Sequence, residues 1–113
     1  MSDTWDLVIV ESPYAGDVET NEAYARAAMA DCLARGEAPY ASHLLYTQPG
    51  VLDDTLPEER ERGICAGFAW RAAAVRTVVY TDRGISRGMQ YGIDHAASLG
   101  HAVEYRTLEG WAT

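Results

Sequence analysis

No apolar run in this chain approaches the ~20 residues that a membrane-crossing helix needs, so no membrane partner is expected. The N-terminus, Met1-Ser2-Asp3-Thr4-Trp5-Asp6, lacks the basic stretch that opens a secretory leader, and a cytoplasmic location is the expectation. Cysteine is scarce. Cys32 and Cys65 stand alone without Cys-x-x-Cys spacing, which excludes a zinc knuckle or a dithiol redox motif. Both lie in apolar-rich helical stretches and are expected as buried structural thiols. Positive charge is short too: 9 basic against 17 acidic residues give a formal charge of −8. Long nucleic acids are therefore excluded as partners, because phosphate tracts need a basic footprint. A single nucleotide held by backbone N–H groups and one or two arginines is not. The basic residues concentrate from Arg60 onward, so an anion-facing patch is expected in the second half. Ser-His-Asp order, a phosphate-binding P-loop and His-Glu-x-x-His are all missing. No metal or cofactor is expected, and Asp53-Asp54 with Glu58–Arg62 reads as a solvated face.

What is present is the pattern of one α/β domain. The 113 residues, 48% of them hydrophobic, suffice for a single core. Leu7-Val8-Ile9-Val10 is apolar throughout, as a strand covered on both faces must be. Asp17 or Thr20 can cap a helix over Asn21–Arg35, and Gly36 closes it. Ala38–Ala41 is a short second strand whose Pro39 suits a sheet edge or a strand start. His43–Leu56, with Pro49-Gly50, reads as a long loop. Pro57-Glu58-Glu59 opens a helix to about Ala74. Thr77–Thr81 is the third strand, Ser86 caps a helix over Arg87–Leu99, and Ala102–Tyr105 is the last strand before a tail at Glu109–Thr113. This β-α-β-α-β-α-β alternation predicts a Rossmann-like (flavodoxin-like) parallel sheet of about four strands, order 2-1-3-4, with helices on both faces. Ligands of such sheets sit beyond the carboxyl ends of the strands at the switch in strand order, here between strands 1 and 3.

Two loops meet there. Ser12-Pro13-Tyr14-Ala15-Gly16-Asp17 follows the first strand; Gly16 lets N–H groups approach an anion, and Tyr14 can stack on a base or bond a sugar. Ser86-Arg87-Gly88-Met89-Gln90 opens the last helix, where a hydroxyl, free N–H groups and an arginine form a phosphate seat. The expected ligand-binding set is thus Ser12, Pro13, Tyr14, Gly16, Asp17, Ser86, Arg87, Gly88, Met89 and Gln90. His43 titrates near neutrality and is a candidate general acid or base. With Asp17 and Asp82 it makes the candidate catalytic set. His95 and His101 read as structural.

The same segments carry a family resemblance. Ser12–Asp17, Ser42-His43-Leu44-Leu45-Tyr46, Pro57–Arg60 and Ile85–Gly92 with Ala96 and Gly100 resemble the nucleoside 2-deoxyribosyltransferase-like superfamily, closest to a small uncharacterised phage and bacterial branch. That resemblance implies a Rossmann-like sheet, a nucleoside or nucleotide as the small-molecule partner, and a homo-oligomer. It also implies cleavage of an N-glycosidic bond by a glutamate nucleophile early in the last helix. In this chain the nucleophile's position falls at Gly92, that of a supporting carboxylate at Phe68 and that of a first-strand tyrosine at Val8. The phosphate-holding serine matches Ser86. Asp94 is turned roughly 200° from Gly92 on a helix. Asp17, Asp82 and Glu11 remain as acids that can substitute, with Asp17 preferred because it ends the first loop.

Three expectations follow. The first is binding of a nucleotide or nucleoside derivative between the two loops without the usual glutamate chemistry. The second is an N-glycosidic hydrolase or transferase using another carboxylate. The third is a non-catalytic interaction module presenting its acidic surface with Trp70 or Trp111.

Overall fold

A computed structural model of the chain describes residues 5–111. Met1-Ser2-Asp3-Thr4, part of the N-terminal reading, and Ala112-Thr113 of the tail lie outside the described residues. The elements in chain order are β1 (Asp6–Glu11), α1 (Val18–Ala34), β2 (Glu37–Tyr40), α2 (Ser42–Leu45), α3 (Pro57–Arg71), β3 (Arg76–Tyr80), α4 (Arg87–Ser98) and β4 (Ala102–Arg106). The four strands form one parallel sheet in the order β2-β1-β3-β4. The expected order 2-1-3-4 is the observed one. Pro39 sits on the β2 edge opposite Val8, where a missing N–H costs no ladder bond to a further strand.

Strand alternation sorts the side chains. Val8 and Val10 of β1 and Val78 and Tyr80 of β3 point to one face and pack on Tyr24, Ala28 and Cys32 of α1. Val79 points to the other, where Met89 and Ile93 of α4 cover it. Glu11 ends β1 on this second face, toward α3 and α4.

Two expectations need correction. Cys32 is buried, but Cys65 lies on the solvent face of α3 and is exposed. Its apolar neighbours Ile64 and Phe68 turn inward, toward the cavity described below, and 3.6-residue periodicity leaves position 65 outside. The long loop is also not featureless, since Ser42–Leu45 makes one helical turn directly after β2. No described helix is long and apolar enough to cross a membrane.

A buried ionic network ties the sheet together. Arg106 of β4 makes a two-pronged bond to Glu37 of β2, at 2.7 Å on each oxygen. Arg76 of β3 bonds Glu37 at 2.8 Å and Asp6 of β1 at 2.7 Å. All four strands therefore meet in one set of charge-assisted bonds. The Arg106 bonds, with the further charge of Arg76, hold the Glu37 carboxyl below its usual range.

Candidate functional site

The first loop is built from behind by Asn21 of α1. Its amide donates to the backbone carbonyls of Tyr14 (3.0 Å) and Ala15 (3.1 Å), and its Oδ1 accepts from Arg83 Nε at 2.9 Å. One buried side chain thus fixes the loop after β1 and links it to the loop after β3. Gly16 takes φ +97°, the left-handed conformation that ends the loop and lets Asp17 cap α1. Tyr14, set in this way, stacks on His43 with ring centroids 5.0 Å apart and planes within 16°. Burial lowers the His43 pKa and keeps its ring uncharged at neutral pH, with Asp54 opposing and Arg60 adding to the shift.

The second loop delivers the N-terminus of α4. Ser86 Oγ accepts from Met89 N at 3.2 Å, and Ser86 N is taken by the Met89 thioether at 3.3 Å, closing a reciprocal cap. Met89 itself is fully buried in the core. The two loops flank a cavity of about 150 Å³, lined among others by Glu11, Tyr14, His43, Arg71, Ser86 and Arg87. Tyr14, Asp54 and Arg60 also line an adjacent open hollow of about 800 Å³ under the Thr47–Thr55 loop. Small-molecule sites typically span roughly 300–1,000 Å³, so the inner cavity alone is smaller than such a site and the hollow falls within the range.

Of the expected residues, Tyr14, His43, Ser86, Arg87 and Gly88 come together at this cavity, and Gly16 lines the outer hollow. Ser12, Pro13, Met89 and Gln90 do not line it. Ser12, Pro13 and Met89 are buried, and Gln90 is exposed and bonds Asp94 at 2.9 Å. Asp17 caps α1 through Thr20 N at 3.2 Å, a bond that lowers its pKa and engages it outside the inner cavity. Asp82 accepts from Tyr24 Oη (2.7 Å) and Leu108 N (2.8 Å), holding the segment after β4.

Two carboxylates line the cavity, Asp54 and, at the end of β1, Glu11. Arg71 NH2 bonds its Oε2, while no donor among the described residues reaches Oε1. Burial pushes the Glu11 carboxyl up to about 7 against the pull of the Arg71 guanidinium. The group occupies space left by Gly92. A Cβ at that position would overlap Glu11 Oε2 and stand 2.8 Å from Oε1. Glu11 therefore fills the volume that a side chain at position 92 of α4 would claim. The sequence offered Glu11 only as one of three acids able to substitute, with Asp17 preferred, and Arg71 lies 60 residues further on. Among the described residues no cluster of three or more metal-ligating side chains occurs.

Compared with known proteins, the chain matches neither a curated protein nor a solved structure. It does match the family described as a domain of unknown function, DUF7768, over residues 6–106. That stretch runs from the first residue of β1 to the last of β4, and the chain belongs to this family.

Proposed function

We propose that the cleft binds a nucleotide or nucleoside derivative. The observation that carries this reading is the convergence, on one cavity, of a buried carboxylate, a capped helix N-terminus with an adjacent arginine, and a stacked Tyr14–His43 pair. Each suits one part of such a ligand. The N–H groups behind Ser86 and the Arg87 guanidinium suit a phosphate. The aromatic pair offers a face for a base. Glu11 Oε1 is open to a sugar hydroxyl. A cytoplasmic location and a homo-oligomeric assembly go with this reading as parts of the same proposal.

The placement of Glu11 favours a second reading, an N-glycosidic hydrolase or transferase that uses this carboxylate rather than one on α4. In that chemistry the carboxylate attacks the anomeric carbon, and the C–N bond breaks with its electron pair leaving on the base. Water or an acceptor base then opens the sugar ester. The leaving base takes its proton from solvent, because an uncharged His43 is too weak an acid to give one.

Incubation with a panel of nucleosides, deoxynucleosides and their 5′-phosphates tests both readings. A thermal shift with at least one compound, lost in Tyr14→Ala and Ser86→Ala, is the result expected of a binder. Release of free base, abolished by Glu11→Gln, is the result expected of the enzyme. Neither shift nor product from any compound sinks both and leaves the interaction module.

A further inference from the structure

Behind Glu11 lies a chain of hydrogen bonds whose directions are fixed by chemistry. Arg71 is 1% exposed, and its guanidinium spends its three nitrogens on three different elements. NH2 bonds Glu11 of β1, Nε bonds Thr77 Oγ1 of β3 at 3.1 Å, and NH1 meets His95 Nδ1 of α4 at 3.0 Å. A guanidinium only donates, so His95 Nδ1 presents its lone pair and the ring's single proton is on Nε2. The second branch is equally constrained. His101 Nε2 lies 2.7 Å from Ala74 O, a carbonyl that only accepts, so that nitrogen carries a hydrogen. Its Nδ1 is 3.1 Å from Thr77 Oγ1. The hydroxyl, already accepting from Arg71, has one hydrogen, and among its described neighbours only a neutral His101 can take it. The His95 ring is further locked by stacking on Phe68, centroids 3.9 Å apart and planes within 5°, with the Arg71 guanidinium 5.6 Å from the Phe68 centroid.

We propose that Arg71 is the positioning residue for the Glu11 carboxylate, and that His95 and His101 serve it as uncharged acceptors protonated on Nε2. The inference rests on Glu11 being the group that meets the ligand. The charged neighbour agrees with it: Arg71 from α3 faces His95, and burial and the Arg71 charge together lower its pKa. Asp94, on the same helix, is occupied by Gln90. The network holds the Arg71 guanidinium on the Glu11 carboxylate at the cavity wall, with its other nitrogens engaged by Thr77 and His95.

The test needs no ligand. Nitrogen-15 NMR of the histidine rings at pH 7 is expected to show His95 and His101 neutral with the proton on Nε2; an Nδ1–H tautomer or an imidazolium at either ring overturns the inference. Carbon-13 titration of glutamate carboxyls, with Glu11 assigned by Glu11→Gln, gives the second arm. Arg71→Met is expected to raise the Glu11 midpoint by about one pH unit, the lower end of what an adjacent opposite charge confers. Because that variant can fail to fold, His95→Phe is measured beside it. It keeps the stack and loses the acceptor, and the Glu11 midpoint is expected to rise. His95→Asn, whose amide oxygen replaces Nδ1, restores the wild-type midpoint. A Glu11 titration identical in wild type and His95→Phe refutes the positioning role. A nucleotide panel that gives neither shift nor product, beside tautomers and midpoints as expected, refutes the ligand reading alone.

Discussion

Glu11 and Gly92 behave as one unit. Adding a methyl group at position 92 places it on the carboxylate, so Gly92→Ala must push Glu11 off Arg71 or move α4. We expect Gly92→Ala to cost about 1–3 kcal/mol, the usual penalty of overpacking, and to abolish ligand binding. Thermal denaturation and the binding panel check it. Glu11 also makes a signed pH prediction. Its folded pKa, about 7, lies above the 4.5 of the unfolded chain, so the folded state holds the proton more tightly. Its contribution is fully present below pH 4.5 and is lost as pH rises through 7, on the order of 3 kcal/mol in all. Glu11→Gln should therefore flatten the pH dependence of stability between 4.5 and 7. Urea unfolding of both proteins across that range, with unchanged slopes, would refute the assignment. The sequence offered Glu11 as one of three candidate acids and Gly92 as a gap on the helix, but not that the two meet. A glutamate after three buried β-branched residues has the look of a strand end, and its partners at 71, 77, 92 and 95 become neighbours only when β1, α3, β3 and α4 close around it.

At the level of elements the sequence was far more informative, because caps and turns are local chemistry. Ser86 and Asp17 were readable as helix starts, Gly36 as a helix end, and Pro39 as an edge-strand residue; each is seen in that role. The two caps have different consequences. Ser86→Ala removes the side-chain bond to Met89 N and should cost about 1 kcal/mol of stability. It should also weaken binding of 5′-phosphorylated ligands relative to their nucleosides, because the same helix end faces the cavity. Asp17→Ala should lower the melting temperature while leaving the ligand panel unchanged, since Asp17 caps α1 outside the inner cavity. Equal loss of ligand response in both variants would contradict this division. The site was only half legible for the same reason. Position after a strand indicated which loops converge, whereas the inward or outward turn of each side chain depends on packing. Tyr14 owes its direction to Asn21, whose signal in sequence is only an asparagine in a helix.

The whole molecule is held by a charge network that no local pattern reveals. Glu37 sits between Arg106 and Arg76, both of which would be left as buried or half-buried cations without it. Glu37→Met should destabilise the fold by about 3–5 kcal/mol, the range for breaking a buried pair from one side. Its pH sign is opposite to that of Glu11: with its folded pKa depressed, Glu37 stabilises above pH 4.5, and that contribution disappears as pH falls through the lower folded value. Acid unfolding of wild type and Glu37→Met should consequently converge at low pH. The network also has a bearing on the order in which the chain is made. Arg106 belongs to the fourth strand in chain order, and Glu37 to the second. Until β4 leaves the ribosome, the nascent sheet carries a carboxylate in its interior without its principal counter-charge. Until then Glu37 has only the half-buried Arg76 as its counter-charge.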